Sequence, residues 1–190
     1  MKTIIIIALF AYILSVPGGW EKRSVRENSF EIERAFSAAF KEYSQRINSK
    51  ADIDDLIRLT VYSQVVNGVN YKITFMDSQS EFYSVQEYIV YNPVTSQNGP
   101  DFEVTNHKEY ESTKGLIPSN DPEFASLENT LNSFLKKADQ TLDYISYVFP
   151  IESDETSFYI INADTSNGEH QYIIGKDKIS EEFEYFELIN

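Results

Sequence analysis

The chain has 190 residues, 16 basic against 30 acidic side chains for a net charge of −14, and no cysteine. Such a charge gives no cationic footprint for nucleic acid and is repelled by an anionic membrane surface. Without disulfide staples, stability must come from core burial, for which 13 Phe and 13 Tyr supply ample apolar area at roughly 25 cal/mol per Å² buried.

The chain opens with Met1-Lys2, then runs apolar from Ile4 to Leu14 apart from Tyr12, and continues as Ser15-Val16-Pro17-Gly18-Gly19. This is the layout of a secretory signal peptide over residues 1–18, and it implies a secreted, extracellular protein with no membrane association after cleavage. The run is short for a membrane span, and a short N-terminal anchor is the alternative. No Asn-x-Ser/Thr sequon follows, so no N-glycan is expected.

A helix is expected next, capped by Asn28 or Ser29 with Glu31 in its first turn. Ile32, Phe36, Ala39, Phe40, Tyr43 and Ile47 recur at helical spacing, opposite Glu33, Ser37, Lys41 and Glu42. Strands at about 55–66, 69–77, 81–92 and 101–110 would give this helix a sheet to lie on. Ile57, Leu59, Val61 and Val65 alternate with Arg58, Thr60, Tyr62 and Gln64, and after the turn Tyr71, Ile73 and Phe75 alternate with Asn70, Lys72 and Thr74. Between these runs stands Gln64-Val65-Val66-Asn67-Gly68. Asn67-Gly68 predicts a type I′ hairpin turn, which needs two residues that accept positive φ. Alternation and Asn-Gly alone describe an ordinary hairpin. Val65 and Val66 add something: one of them must stand near the tip with little core to enter, as an apolar wedge.

Turn-forming residues cluster at Lys114 to Pro122, and the same order of elements then recurs. Asn120 or Asp121 caps a second helix with Pro122 in its first turn and Phe124, Leu127, Leu131, Phe134 and Leu135 on its apolar face. Strands follow at about 142–149, 156–163, 169–176 and 182–188, with Asn167-Gly168 as a second hairpin signal. The fold class expected is α+β, in two tandem domains of one helix packed on a four-stranded antiparallel sheet: 19–114, a linker at 115–121, and 122–190.

Catalytic parts are missing. There is no phosphate loop, no metal-spaced ligand set and no nucleophile motif, so neither catalytic residues nor metal nor cofactor are expected. His107 and His170 have no motif around them and read as solvated or structural residues. Glu181, Glu182, Glu184 and Glu187 read as the wet face of a final strand.

Gln64-Val65-Val66-Asn67-Gly68, followed by an apolar strand with Tyr71, resembles the first inhibitory hairpin of the cystatins. Ala38-Ala39-Phe40-Lys41-Glu42-Tyr43-Ser44 resembles that family's helix signature, and the spacing from Glu42-Tyr43 to Gln64 is gapless against secreted animal members. Gly18-Gly19 stands where cystatins carry a glycine in an N-terminal trunk. Tyr91-Asn92-Pro93-Val94 occupies the place of the family's second hairpin, with Val94 where a tryptophan is usual. An insertion-like segment, Thr95 to Asp101, follows. Secreted animal cystatins usually carry disulfides and this chain has none, as in plant cystatins. Trp20 either compensates for the missing tryptophan or is a hydrophobic residue exposed by signal cleavage. The likeness covers residues 18–110 with motifs and 120–190 by pattern only. The second half has Phe149-Pro150-Ile151-Glu152-Ser153 where the inhibitory motif would stand, acidic and without glycine, and reads as a degenerate, non-inhibitory copy.

The resemblance implies two cystatin-like domains and a reversible inhibitor of papain-like cysteine proteases of the cathepsin L or B type. Gly19, Gln64, Val65, Val66, Asn67, Gly68, Pro93 and Val94 would fill the protease cleft. The alternative is a secreted binding protein that keeps the scaffold without inhibiting. Asn48, just after the first helix, falls where some secreted cystatins carry the asparagine that occupies the specificity pocket of legumain. Asparagine is also common after a helix, because it tolerates the left-handed conformation.

Overall fold

The computed structural model describes residues 19–47, 51–79, 83–93, 102–112 and 115–187. The expectations for the signal segment 1–18, for Asn48 and for Val94 lie outside the described residues. Among the described residues the fold is α+β, with two α-helices and two antiparallel sheets of five and four strands.

The first sheet runs in the order β1 (Glu21–Arg23), β2 (Leu56–Val66), β3 (Gly68–Asp77), β4 (Ser84–Asn92), β5 (Glu103–Glu111). It has one strand more than the four expected. The extra strand, β1, is three charged residues with no strand propensity of their own, held by antiparallel pairing of Glu21, Lys22 and Arg23 with Ser63, Tyr62 and Val61. Helix α1 (Phe30–Ile47) precedes β2. Ser29 closes its N-terminus, accepting a hydrogen bond from the Ile32 amide at 3.4 Å. Its buried residues are Ile32, Ala35, Phe36, Ala39 and Tyr43, which recur at helical spacing along one face. Ile47 does not continue the stripe and is 40% exposed.

Helix α2 (Pro122–Lys137) opens on Asp121, whose side chain accepts from the Glu123 amide at 2.8 Å. The second sheet follows in sequence order: β6 (Leu142–Glu152), β7 (Thr156–Thr165), β8 (Gly168–Asp177), β9 (Phe183–Glu187). No helix among the described residues is long and apolar enough to cross a membrane.

By compactness the described residues fall into two units. One lies within Met1–Ser49, Thr60–Ile73 and Tyr88–His107, the other within Lys50–Leu59, Thr74–Glu87 and Lys108–Asn190. The first unit buries the α1 stripe together with Val61, Tyr71, Ile73, Tyr88 and Val90. His107 lies in it with its ring 4.4 Å from that of Tyr88.

The second unit has a core on both faces of its four-stranded sheet. On one face Phe124, Leu127, Leu131 and Leu135 of α2 pack with Val148, Tyr159, Ile161, Ala163, Tyr172 and Ile174. On the other, Ile151, Phe158, Ile160 and Ile173 pack with Leu59, Met76 and Val85 from β2, β3 and β4. Alternation sends Phe158 and Ile160 one way and Tyr159 and Ile161 the other, and both directions find apolar partners. Ile117 ties the segment before α2 to this unit, donating from its amide to the Val148 carbonyl at 3.0 Å.

The polar positions of β2, β3 and β4 are buried as well: Thr60, Lys72, Thr74, Gln86 and Glu87 are each under 5% exposed. The long side chains lie along the sheet and are satisfied there. Lys72 Nζ sits 4.9 Å from the ring centres of both Trp20 and Tyr62. Gln86 Nε2 donates to Glu109 Oε1 at 2.8 Å.

Candidate functional site

The strands β2 and β3 carry Gln64–Gly68 to the end of the first sheet. Val65 is 56% and Val66 37% exposed, the two most exposed residues of β2. Gln64, one step back, accepts from Asn70 Nδ2 at 3.4 Å. The turn is not type I′. Only Gly68 has a positive φ, +129°, and Asn67 does not.

The reason lies in the neighbouring strand. A Cβ on Gly68 would stand 2.5 Å from the Asn92 carbonyl oxygen and 2.7 Å from the Tyr91 ring. The Tyr91 hydroxyl donates to the Asn67 carbonyl. The tip is therefore latched from the side by the end of β4. Glycine is required at 68 both by its φ and by the approach of another backbone.

Pro93 directly follows Asn92, so it lies at the same end of the sheet as Gly68. Gly19 precedes β1. In the β1–β2 pairing each step back along β1 is a step forward along β2, with Glu21 opposite Ser63. Gly19 stands two residues before this paired stretch, outside the strand. Gly19 is exposed, and a Cβ on it would meet nothing within 4 Å. Of the residues singled out in the sequence, the structure thus brings together Gln64, Val65, Val66, Asn67, Gly68 and Pro93. Trp20 is half-buried, with its ring against Lys72, so it offers no free anchor at this edge.

The roles of three residues at this edge do not follow from the sequence pattern. Tyr91 is one. Arg23 and Glu27 are the others: the guanidinium meets the carboxylate at 2.7 and 3.1 Å, closing the chain between β1 and α1. This contact raises the Arg23 pKa and lowers that of Glu27, chiefly through the hydrogen bond between them. The i, i+4 spacing of Arg23 and Glu27 was the available signal, though such pairing is normally read on helices and these two flank a turn.

The corresponding hairpin of the second sheet, between β6 and β7, closes at Ser153-Asp154-Glu155. Ser153 Oγ donates to the Thr156 carbonyl at 2.8 Å and accepts from the Thr156 amide at 3.1 Å. Lys178 reaches the Ser153 carbonyl at 2.6 Å and Glu152 at 2.9 Å, and Lys108 pairs with Asp154. At the other hairpin the turn residues are Ser166 and Asn167, with Gly168 already paired to Thr165 in the ladder. Its expected Asn-Gly centre is thus shifted by one residue, because Thr165 Oγ1 accepts from the Asn167 amide and fixes the turn there.

Chemically, the hairpin edge is a preformed apolar surface: two exposed valines, a close-approach glycine and a latched backbone. No group of three potential metal ligands occurs among the described residues. Compared with known proteins, the chain matches no family model and no curated sequence.

Proposed function

We propose that this protein is a secreted, reversible inhibitor of papain-like cysteine proteases, built as two tandem cystatin-like domains of which the first inhibits. The observation that supports it best is the latched tip. Val65 and Val66 protrude from a turn whose shape is set by Tyr91 and Gly68 rather than by a partner. A surface ordered beforehand loses little entropy on binding, which is what a wedge needs to enter a cleft tightly. Gly19, just before β1, and Pro93, just after Asn92, would extend the wedge to both sides of the catalytic cysteine, filling the cleft without offering a cleavable bond. The inhibition needs no covalent step.

The test uses the full chain without residues 1–18 against papain and cathepsin L. Wild type should inhibit with tight-binding kinetics, and Val66→Asp should weaken inhibition by about 2–4 kcal/mol, the loss expected of a hot-spot residue. Val66 is exposed, so the substitution leaves the fold intact. Absence of inhibition at micromolar protein would overturn the proposal. It would favour a scaffold that binds another partner, a reading supported by Trp20 being engaged by Lys72.

A further inference from the structure

Beside the tip, a cleft of about 260 Å³ opens between β1, the start of α1 and the ends of β2 and β3. It is smaller than the roughly 300–1,000 Å³ of small-molecule sites and has the size of a side-chain pocket. Its walls are of two kinds. Val65 and Val69 give an apolar side, and Glu21, Glu27 and Glu31 an acidic one. Arg23 is the only cation among the lining residues, and it is forked onto Glu27. Glu21 and Glu31 are exposed and make neither an ion pair nor a hydrogen bond among the described residues.

An acidic cluster alone would read as a solvated face. Tyr71 makes the difference. It lines the same cleft, is 8% exposed, and its hydroxyl makes no hydrogen bond among the described residues. Glu31, Arg23 and Glu27, which line the same cleft, all act on its phenol electrostatically. The hydroxyl itself is not sealed from solvent, so it stands at the cleft surface as an open hydrogen-bonding group. With its pKa raised by burial and then by Glu31, the phenol stays neutral and has lone pairs to offer a donor.

We propose that this cleft is a subsite for a lysine or arginine side chain of the protease that the hairpin engages, an assignment that rests on the inhibitory reading of the tip. The methylene stem lies along Val65 and Val69, the charged head meets Glu21 and Glu31, and one N–H donates to Tyr71 Oη. Val65 is at once a wall of the cleft and an exposed residue of the tip, so whatever fills the cleft is next to whatever covers the tip. The net charge of −14 attracts a basic partner from a distance.

Two measurements on the full chain without residues 1–18 test it. The first titrates Nα-acetyl-arginine amide, with the citrulline amide as neutral control, and follows the Tyr71 ring and Glu31 amide by NMR. Saturable shifts with arginine only, abolished in Glu21→Gln/Glu31→Gln and weakened in Tyr71→Phe, are the expected result. The second measures association with the inhibited protease against salt. The double variant should associate about fivefold to tenfold more slowly at low ionic strength and lose most of its salt dependence. Inhibition that proceeds with no arginine shifts and no change in the double variant would overturn the subsite and leave the tip's role standing. Arginine shifts without any protease inhibited would overturn the tip's role, and with it the protease as occupant.

Discussion

The two hairpin tips, Gln64–Gly68 and Ser153–Thr156, close strand pairs that each follow a helix, yet they spend their side chains differently. At the first, Val65 and Val66 stand in solvent, and the turn is held by a tyrosine from the next strand. At the second, every tip residue is polar, and the apolar residues begin just inside, with Ile151 and Phe158 fully buried. Ser153 and Lys178 tie its backbone down. The second tip is built for stability. The first exposes apolar surface that does nothing for the folded state, and such surface is informative where it is rigid.

The largest effect that separates them is on stability. Phe158→Ala should lower unfolding free energy by about 3–5 kcal/mol in urea titrations, because it opens a cavity between the second sheet and Leu59, Met76 and Val85. Val66→Asp, an apolar-to-polar change at the other tip, should alter it by less than about 0.5 kcal/mol. Equal losses at the two positions would erase the distinction.

The next effect tests the latch. Gly68→Ala places a Cβ 2.5 Å from the Asn92 carbonyl at a φ of +129°. It should cost roughly 1–3 kcal/mol through backbone strain and displacement of the β4 end. The same substitution at Gly168, where φ is +109° but a Cβ meets nothing within 4 Å, carries the strain without the clash. Gly68→Ala should therefore be the more destabilising of the two by thermal unfolding, and a reversed order would mean that Tyr91 and Asn92 yield freely.

Much of this fold is legible in the sequence because local chemistry and periodicity agree. Ser29 and Asp121 cap their helices, and the strand starts and ends lie within a few residues of the alternation. What escaped was set by tertiary pairing. Strand β1 consists of Glu21-Lys22-Arg23 and is a strand only because β2 offers it an edge. The Tyr91 latch joins residues 24 apart, so neither turn chemistry nor strand pattern reports it. Burial of both faces of the second sheet did leave a trace: Phe158-Tyr159-Ile160-Ile161 and Tyr172-Ile173-Ile174 are continuous apolar runs, which strict one-faced strands would break with polar residues. At the candidate site, the exposed valines and Gly68 were visible from composition and turn signals. The cleft beside them was not, since it is assembled from β1, α1, β2 and β3 at once.

The smallest effect lies at the second tip and is a matter of pH. Tyr110 stands near the turn, its pKa pushed up to about 12, first by burial and then by the negative charges of Glu87 and Asp154. Its hydroxyl lies 3.5 Å from Glu87 Oε1, and its neighbour Lys108 pairs with Asp154. A phenol that holds its proton more tightly when folded is neutral in both states below its unfolded pKa of 10.0, and the stabilisation is then fully present. Between 10.0 and about 12 the unfolded chain releases the proton while the folded chain keeps it, so unfolding becomes progressively more favourable. Stability should therefore fall with rising pH in that window, and the slope should be smaller in Tyr110→Phe. Burial also raises the pKa of Tyr159, so part of the slope survives the substitution. Urea unfolding at pH 9, 10 and 11 reads the difference directly. Parallel curves for wild type and Tyr110→Phe would show that the second tip is open enough to solvent for the phenol to titrate as it does in the unfolded chain, and that its polar ties do not hold it closed.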